Sequence, residues 1–401
     1  MESIRFFHVA DLHLDSPFKG LKHLPNEVFE RIQNSTFVSF DKVVKEAIAR
    51  QIDFMIISGD LFDEEDRSIR AQAKLLKQCN LLRANNIPVY VIHGNHDHLG
   101  SHRLELDMPD NIHIFREETE VKQHITNNGT MVDIAGFSYG SRHIKERRIA
   151  GYPKRTGDRY MIGILHGSEG SIHSSHETYA PFSIDELLEK KYHYWALGHI
   201  HDRRILHEEP FIVYPGNIQG RHRKETGPKG CYEVVLNQHH TELTFIPTHD
   251  LMWEVCNVSL QGTERFGEVF QRIHQSMDSM TGDRLIEIVL TDVESLSQEM
   301  RVRIENGDLL EALQSDYEWQ GELKWVHSIR KGSANIGLGS EQDPFKQEVM
   351  LTLQAMTGDE WEEVLAELYE HPSIYRFLDP LEGDDKNSLI EETEHLLHNK
   401  G

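Results

Sequence analysis

The sequence predicts an α/β protein: a large mixed body, a smaller α+β unit behind it, and a helical C-terminal segment. Three observations carry that expectation. Short apolar runs alternate with stretches of helical spacing throughout residues 1–250. After Pro247 the alternation gives way to a strand–helix–strand pattern over 251–330. A segment rich in Gly and Ser, 331–344, then reads as a linker to an acidic, helically spaced tail at 345–401. At about 150 residues per domain, 401 residues make between two and three domains.

The elements follow in order. IRFFHVA (4–10) reads as a strand, and Val28, Ile32, Phe37, Val44 and Ile48 place a helix over 26–50. DFMIIS (53–58) is a buried strand, 68–86 a helix and 88–93 another strand. Strand-like runs recur at 112–115, 131–137, 161–166 and 192–198. FIVYP (211–215), CYEVVL (231–236) and ELTFIP (242–247) resemble a meander, so the second half of the body is expected to be more antiparallel. In the small unit, 252–260 and 284–293 read as strands around a helix near 264–280. In the tail, Phe345, Val349, Leu353 and Met356 share a helical face, and Thr357 to Glu360 is a capping-box pattern. Trp361, Val364, Leu365, Leu368 and Tyr369 form an apolar stripe, and Leu389, Ile390, Thr393, Leu396 and Leu397 mark a last short helix.

Composition narrows the class. The chain carries 42 Lys+Arg against 66 Asp+Glu, a formal net charge of −24, with 38% hydrophobic residues, as an ordinary globular protein does. No apolar run reaches the ~18 residues of a membrane span, and the first residues carry no secretory signal, so the expected location is cytoplasmic, away from membranes. Three widely spaced cysteines exclude a disulfide framework and a cysteine-built zinc site. Charge and histidine divide unevenly: residues 1–250 balance at −5 with 21 of the 26 histidines, and 251–401 at −19 with the rest. Histidines scattered over the surface would be the plain reading, but their positions argue against it.

Five segments each follow a strand-like run: Asp11-Leu-His13, Gly59-Asp60, Gly94-Asn95-His96-Asp97, His166-Gly167 and Gly198-His199-Ile-His201. Ligands of α/β sheets bind at the carboxyl ends of strands, so these residues can meet at one rim. Two carboxylates, one amide and four imidazoles make an oxygen/nitrogen donor set, which suits Mn²⁺, Fe or Zn²⁺. Seven donors fit two ions better than one if a carboxylate is shared. Asp60 is the natural bridge, having two oxygens where an imidazole has one free lone pair. Such a pair of ions binds a phosphodiester and lowers the pKa of a shared water. Each fragment alone is weak, and the five in this order are a strong signal.

D-x-H, GD, GNHD, H-G and GHxH in this order resemble the signature of the calcineurin-like metallophosphoesterases. Gly59-Asp-Leu-Phe-Asp63 and GNHD are similar to the SbcD-type DNA-repair exonuclease branch. ADLHLDSPF and YPGNIQGRHRKETGPKG (214–230) are most like its YhaO-like members. The motifs cover about residues 4–230. Protein Ser/Thr phosphatases of the superfamily carry GNHE and an arginine after GD, whereas Asp63 is followed here by acidic residues.

The resemblance implies a β-sandwich flanked by helices, α/β/β/α. It implies Asp11, His13, Asp60 and His201 on one metal, and Asp60, Asn95, His166 and His199 on the other, most readily Mn²⁺. His96 would face the scissile phosphate rather than bind metal, with Asp97 orienting it. Asp15 departs from the glycine usual in the branch, and reads as facing solvent.

The expected reaction is phosphodiester hydrolysis on DNA, in the manner of an exonuclease of DNA repair. An acidic chain resists a polyanion. Against that, 142–159 hold seven basic and two acidic residues, and Arg221, Arg223, Lys224 and Lys229 cluster further on. Arg142, Arg147, Arg148, Arg221 and Arg223 are therefore candidate phosphate contacts, although solvated loop charge accounts for them equally well. By the same resemblance, 251–330 would be a capping domain and 345–401 would dock an SMC-like (SbcC-type) ATPase. A homodimer is compatible with the sequence. Two other readings share these residues: a phosphodiesterase for nucleotides or other small diesters, and a non-catalytic DNA- or ATPase-binding scaffold.

Overall fold

A computed structural model describes residues 2–18, 21, 24–63, 68–100, 106–170, 179–238, 240–315, 317, 321–332, 344–357 and isolated positions from 360 to 393. In chain order the strands are β1 (Ile4–Val9), β2 (Phe54–Ser58), β3 (Val89–Ile92), β4 (Ile112–Ile114), β5 (Glu120–Ile125), β6 (Met131–Gly136), β7 (Tyr160–His166), β8 (Tyr194–Gly198), β9 (Arg204–Glu208), β10 (Phe211–Tyr214), β11 (Gly230–Leu236), β12 (Thr241–Pro247), β13 (Met252–Ser259), β14 (Arg284–Thr291) and β15 (Lys324–Lys331). The helices are α1 (Asn26–Ala49), α2 (Ile69–Ala84), α3 (Ile184–Glu189), α4 (Phe266–Asp278), α5 (Gln298–Glu305), α6 (Asp308–Ser315) and α7 (Pro344–Ala355).

The body is a sandwich of two six-stranded sheets, ordered β12-β11-β1-β2-β3-β4 and β5-β6-β7-β8-β10-β9. Its central strands are apolar on both faces because each face is covered. Ile4, Phe6, Phe54 and Ile56 meet Tyr160, Ile162, Ile164 and Tyr194 between the sheets. The alternate residues Phe7, Val9, Met55 and Ile57 turn outward onto Phe40, Val44, Leu75 and Leu82 of α1 and α2. On the far side Met161, Leu165, Trp195 and Leu197 pack with Leu187 of α3. The layers are thus α/β/β/α, as the resemblance implied.

The expected meander is not one. β10 lies in the second sheet, parallel to β8 and antiparallel to β9. β11 and β12 form a hairpin that adds antiparallel to β1 in the first sheet. The chain crosses between sheets over 215–229, which a run of apolar segments cannot reveal. β5 and β9, missing from the sequence reading, are polar sheet-edge strands with partly exposed residues throughout.

Beyond the body, β13, β14 and β15 form a three-stranded sheet, all parallel, around its own apolar cluster. Phe18, Leu24, Val28 and Ile32 of the body join Leu251, Trp253, Leu285 and Trp325 in another apolar cluster. Arg31 of α1 ties across it, binding Asp283 Oδ2 at 2.7 Å and Asp250 as well. The expected linker lies mostly outside the described residues, as do Leu368, Tyr369, Leu396 and Leu397 of the tail. The capping box is formed: Thr357 N and Oγ1 donate to Glu360 Oε2 at 2.7 and 2.9 Å, and Glu360 N returns a bond to Thr357 Oγ1 at 3.4 Å. Among the described residues no helix is long and apolar enough to cross a membrane.

A buried polar link at His8 joins the two sheets near the ends of their strands. His8 Nε2 donates to the Leu197 carbonyl at 3.0 Å, which leaves Nδ1 to accept from the Tyr194 hydroxyl at 2.9 Å. His8 and Tyr194 are both fully buried. Tyr194→Phe should leave His8 Nδ1 without a partner, costing about 1–3 kcal/mol. Urea denaturation checks it, and an unchanged midpoint would contradict the assigned link.

Candidate metal centre

Five strand ends deliver the site. Asp11 and His13 follow β1, Asp60 follows β2, Asn95 and His96 follow β3, His166 ends β7, and His199 and His201 follow β8. The first three strands are neighbours in one sheet and the last two in the other, so the site sits where both sheets open at the same rim. The backbone is bent hard to bring the donors in. Asp11, His13, Asp60 and His199 all have positive φ, at 51, 41, 49 and 101°. Non-glycine residues rarely hold such angles, and where they do the surroundings enforce it. Here Asp11 N and His13 N are held by the carbonyls of Gly59 and Asp60, at 3.2 and 3.0 Å.

Two glycines account for their motifs. A Cβ on Gly94 would stand 2.1 Å from Asp60 Oδ1 and 2.8 Å from His166 Nε2. One on Gly59, at φ +98°, would reach 2.2 Å from His166 Nδ1. Only a bare backbone lets these side chains converge.

The donors gather as the five motifs suggested. Ligand atoms of Asp11, His13 and His201 lie within 4.8 Å of one another, as do those of Asp11, Asp60 and His166. Asp60 Oδ2 is 3.4 Å from His166 Nε2 and 3.7 Å from His13 Nε2, so one carboxylate faces both groups. Asn95 Oδ1 lies 2.9 Å from His166 Nε2. The His199 ring sits 5.2 Å from that of His166, and its backbone N–H donates to both Asp11 oxygens at 3.1 and 3.2 Å. His13 and His201 face each other through Nε2 at 3.1 Å.

Burial sharpens the electrostatics. It pushes the Asp11 carboxyl up to about 6, against the pull of His166 and His201. Burial would raise Asp60 too, but His166, His96 and His13 hold it well below the carboxylate range. Burial opposes a charge on His166, yet Asp60 and Asp11 raise it to about 9. Burial lowers His13 to about 3. These groups are nearly sealed from water and crowd carboxylate oxygens and imidazole nitrogens within a few ångströms of one another, a donor chemistry that suits a divalent cation. The donor set therefore fits divalent metal.

His96 is placed by two bonds. Its N–H donates to Asp60 Oδ1 at 3.1 Å, and its ring Nδ1 donates to the Asp63 carbonyl at 2.8 Å. The sequence reading gave the orienting task to Asp97. The bonds seen on Asp97 brace the loops: Oδ1 accepts from Gly94 N at 2.8 Å, and Oδ2 from Leu61 N and His93 Nδ1 at 2.9 and 3.0 Å. Asp15, expected to face solvent, accepts from the Ser68 hydroxyl at the start of α2.

The arginines divide. Arg142 and Arg223 are exposed. Arg147 is paired with Glu186, while Arg148 donates to the Glu117 carbonyl and lies over the Phe137 ring. Arg221 turns inward onto Asp63. Two site residues were given no role in the sequence: Glu225, whose Oε1 is 2.6 Å from His201 Nδ1, and Asp63, whose Oδ1 is 2.8 Å from His13 Nδ1. Asp63 closes the GDLFD motif, whereas Glu225 was visible only as an acid among charged neighbours.

Comparison with known proteins agrees with this geometry. The calcineurin-like phosphoesterase family profile matches residues 4–203. The uncharacterized metallophosphoesterase YhaO of Bacillus subtilis is 35% identical over 403 residues, covering 99% of this chain and 98% of its own length. The DNA double-strand break repair protein Mre11 of Methanocaldococcus jannaschii is 25% identical over 67% of this chain and 73% of its own. Mre11 of Archaeoglobus fulgidus is 22% identical over 98% of this chain and 89% of its own. The chain belongs to the calcineurin-like metallophosphoesterases. It is a metal-dependent phosphoesterase, a hydrolase, and has DNA double-strand break repair proteins of the Mre11 type among its more distant relatives.

The buried histidines predict acid sensitivity. Burial holds His8 and His13 near 3, against 6.5 when unfolded. The unfolded chain therefore takes up protons that the folded chain refuses. Stability present above pH 6.5 should fall as pH drops toward 3, by at least about 1.4 kcal/mol per pH unit. Asp11, raised to about 6, acts in the opposite direction below that pH, but burial also lowers His124 and His193 to about 4. Urea titrations of metal-free protein at pH 7 and pH 5 check this, and equal stabilities would contradict it.

Proposed function

We propose that this chain is a two-metal phosphodiesterase that cleaves DNA, as an exonuclease of DNA repair. The observation that carries the reading is the gathering of Asp11 with His13 and His201 and of Asp11 with Asp60 and His166, with Asp60 Oδ2 facing both sets and the His96 ring beside them but bonded elsewhere. Asp11, His13, Asp60 and His201 would hold one cation, and Asp60, Asn95, His166 and His199 the other, with Mn²⁺ favoured and Fe or Zn²⁺ compatible. Bound there, the pair would supply Lewis acidity toward the phosphate and an activated water.

The chain's own residues set the rest of the chemistry. Asp60 presents Oδ2 to both donor groups while Oδ1 is occupied by the His96 amide. His96 spends Nδ1 on the Asp63 carbonyl, so Nε2 is left for the leaving oxygen, which it would stabilise or protonate with the ring carrying a proton on both nitrogens. Asp97 acts one step back, fixing the loops that carry Asp60 and Asn95.

DNA as substrate is supported by the Mre11 relatives, whose names specify double-strand break repair, and by similarity that extends past the catalytic body. On this reading 251–330 caps the site and helps select DNA, and 345–401 docks an SMC-like ATPase in the cytoplasm. Arg142 and Arg223, exposed as Arg147 also is, would be phosphate contacts on this reading. One observation favours a small diester instead: Arg147, Arg148 and Arg221 are already engaged within the protein.

A Mn²⁺-supplemented assay on end-labelled single- and double-stranded DNA, beside a chromogenic diester, separates the readings. DNA cleavage supports the nuclease, and turnover of the chromogenic diester alone supports the small substrate. His96→Asn should retain both ions by elemental analysis while losing at least about 100-fold in turnover. Loss of an ion from that variant would make His96 a ligand and overturn its assigned role.

A further inference from the structure

Behind the donor set stand three side chains, those of Glu225, Asp63 and Arg221, that the reaction as described does not use. His13 and His201 meet through Nε2, and each has a carboxylate at its other ring nitrogen. At His201 the contact is a short hydrogen bond, 2.6 Å from Nδ1 to Glu225 Oε1. A carboxylate can only accept there, so Nδ1 carries the proton and the Nε2 lone pair points into the site. At His13 the approach is 2.8 Å from Nδ1 to Asp63 Oδ1, close but not a directed hydrogen bond.

The two carboxylates are tied together by one residue. Arg221 gives its guanidinium to Asp63 Oδ1 and its backbone N–H to Glu225 Oε2, the latter at 2.7 Å. Asn217 Nδ2 donates to the same Glu225 oxygen at 2.7 Å. Glu225 is only 4% exposed, so these bonds replace its hydration. Asp63 also lies within metal-holding distance of His13 and His96. With a guanidinium on its oxygen, though, it is poorly suited to take a cation of its own and better suited to brace a ring.

We propose that Glu225 and Asp63, joined through Arg221, are positioning residues that hold His201 and His13 with Nε2 toward metal. The loop over 217–225 thereby preassembles one of the two cation positions and leaves the other to the His166 side. This rests on the two-cation reading and goes beyond it: it predicts that the two positions can be weakened separately. Carboxylates behind metal-bound imidazoles fix tautomer and ring orientation, and their loss costs about 10–100-fold in metal affinity.

The test is a Mn²⁺ titration of the full chain, with free Mn²⁺ followed by electron paramagnetic resonance, on wild type, Glu225→Gln and Asp63→Asn. Glutamine offers one acceptor oxygen where Glu225 uses two, so either His201 or the Arg221–Asn217 pair must face an NH₂ group. The expected result is two tight equivalents in wild type. Each variant should keep one of them and bind the second about 10–100-fold more weakly. Two tight equivalents in both variants, or equal loss of both ions, would overturn the positioning role. Fewer than two in wild type would overturn the two-cation reading itself, and the wild-type curve alone reports that. If circular dichroism shows that Glu225→Gln does not fold, Asp63→Asn decides by the same criteria.

Discussion

The structure depends on one carboxylate. Asp60 is almost fully buried, yet stays ionised because His166, His96 and His13 surround it more closely than the low-dielectric interior penalises it. A lone charge there would be costly, and so would a cluster of imidazoles with nothing between them. Each half of the site is thus tolerable only in the presence of the other. Gly59 and Gly94 matter because a methyl group at either would strike His166, and at Gly94 Asp60 too.

The sandwich makes that meeting possible. Parallel strands β1, β2 and β3 end at the same rim as β7 and β8, and the His8–Tyr194–Leu197 link holds the two sheets together just short of it. Positive φ at four donor residues then turns the side chains inward across the gap. Packing provides the reservoir for this strain: the strands beneath are buried on both faces, and the site's distortion is small beside that burial.

The donors were legible in the sequence because chemistry constrains residue type: aspartate, asparagine and histidine, repeated directly after apolar runs, suit ligation far better than packing. The layers were legible from strands too apolar to be covered on one side only. The connection from β10 to β11 was not, since apolar periodicity is blind to which sheet a strand joins. β5 and β9 escaped because edge strands need no apolar face. Glu225 was hidden for a different reason, and Arg221 was read as a phosphate contact. In QGRHRKETGPKG the charges read as outward-facing, and only the fold shows that Arg221 and Glu225 turn inward while Arg223 remains outside. Positive φ at Asp11, His13 and Asp60 has no signature in residue type.

On the two-cation reading, one shared aspartate assembles both cation positions. Anomalous diffraction at the manganese edge, on crystals of the protein soaked in Mn²⁺, tests it most directly. Two peaks should flank Asp60, one toward His13 and His201, the other toward Asn95 and His166. A single peak, or peaks that do not touch Asp60, would contradict it.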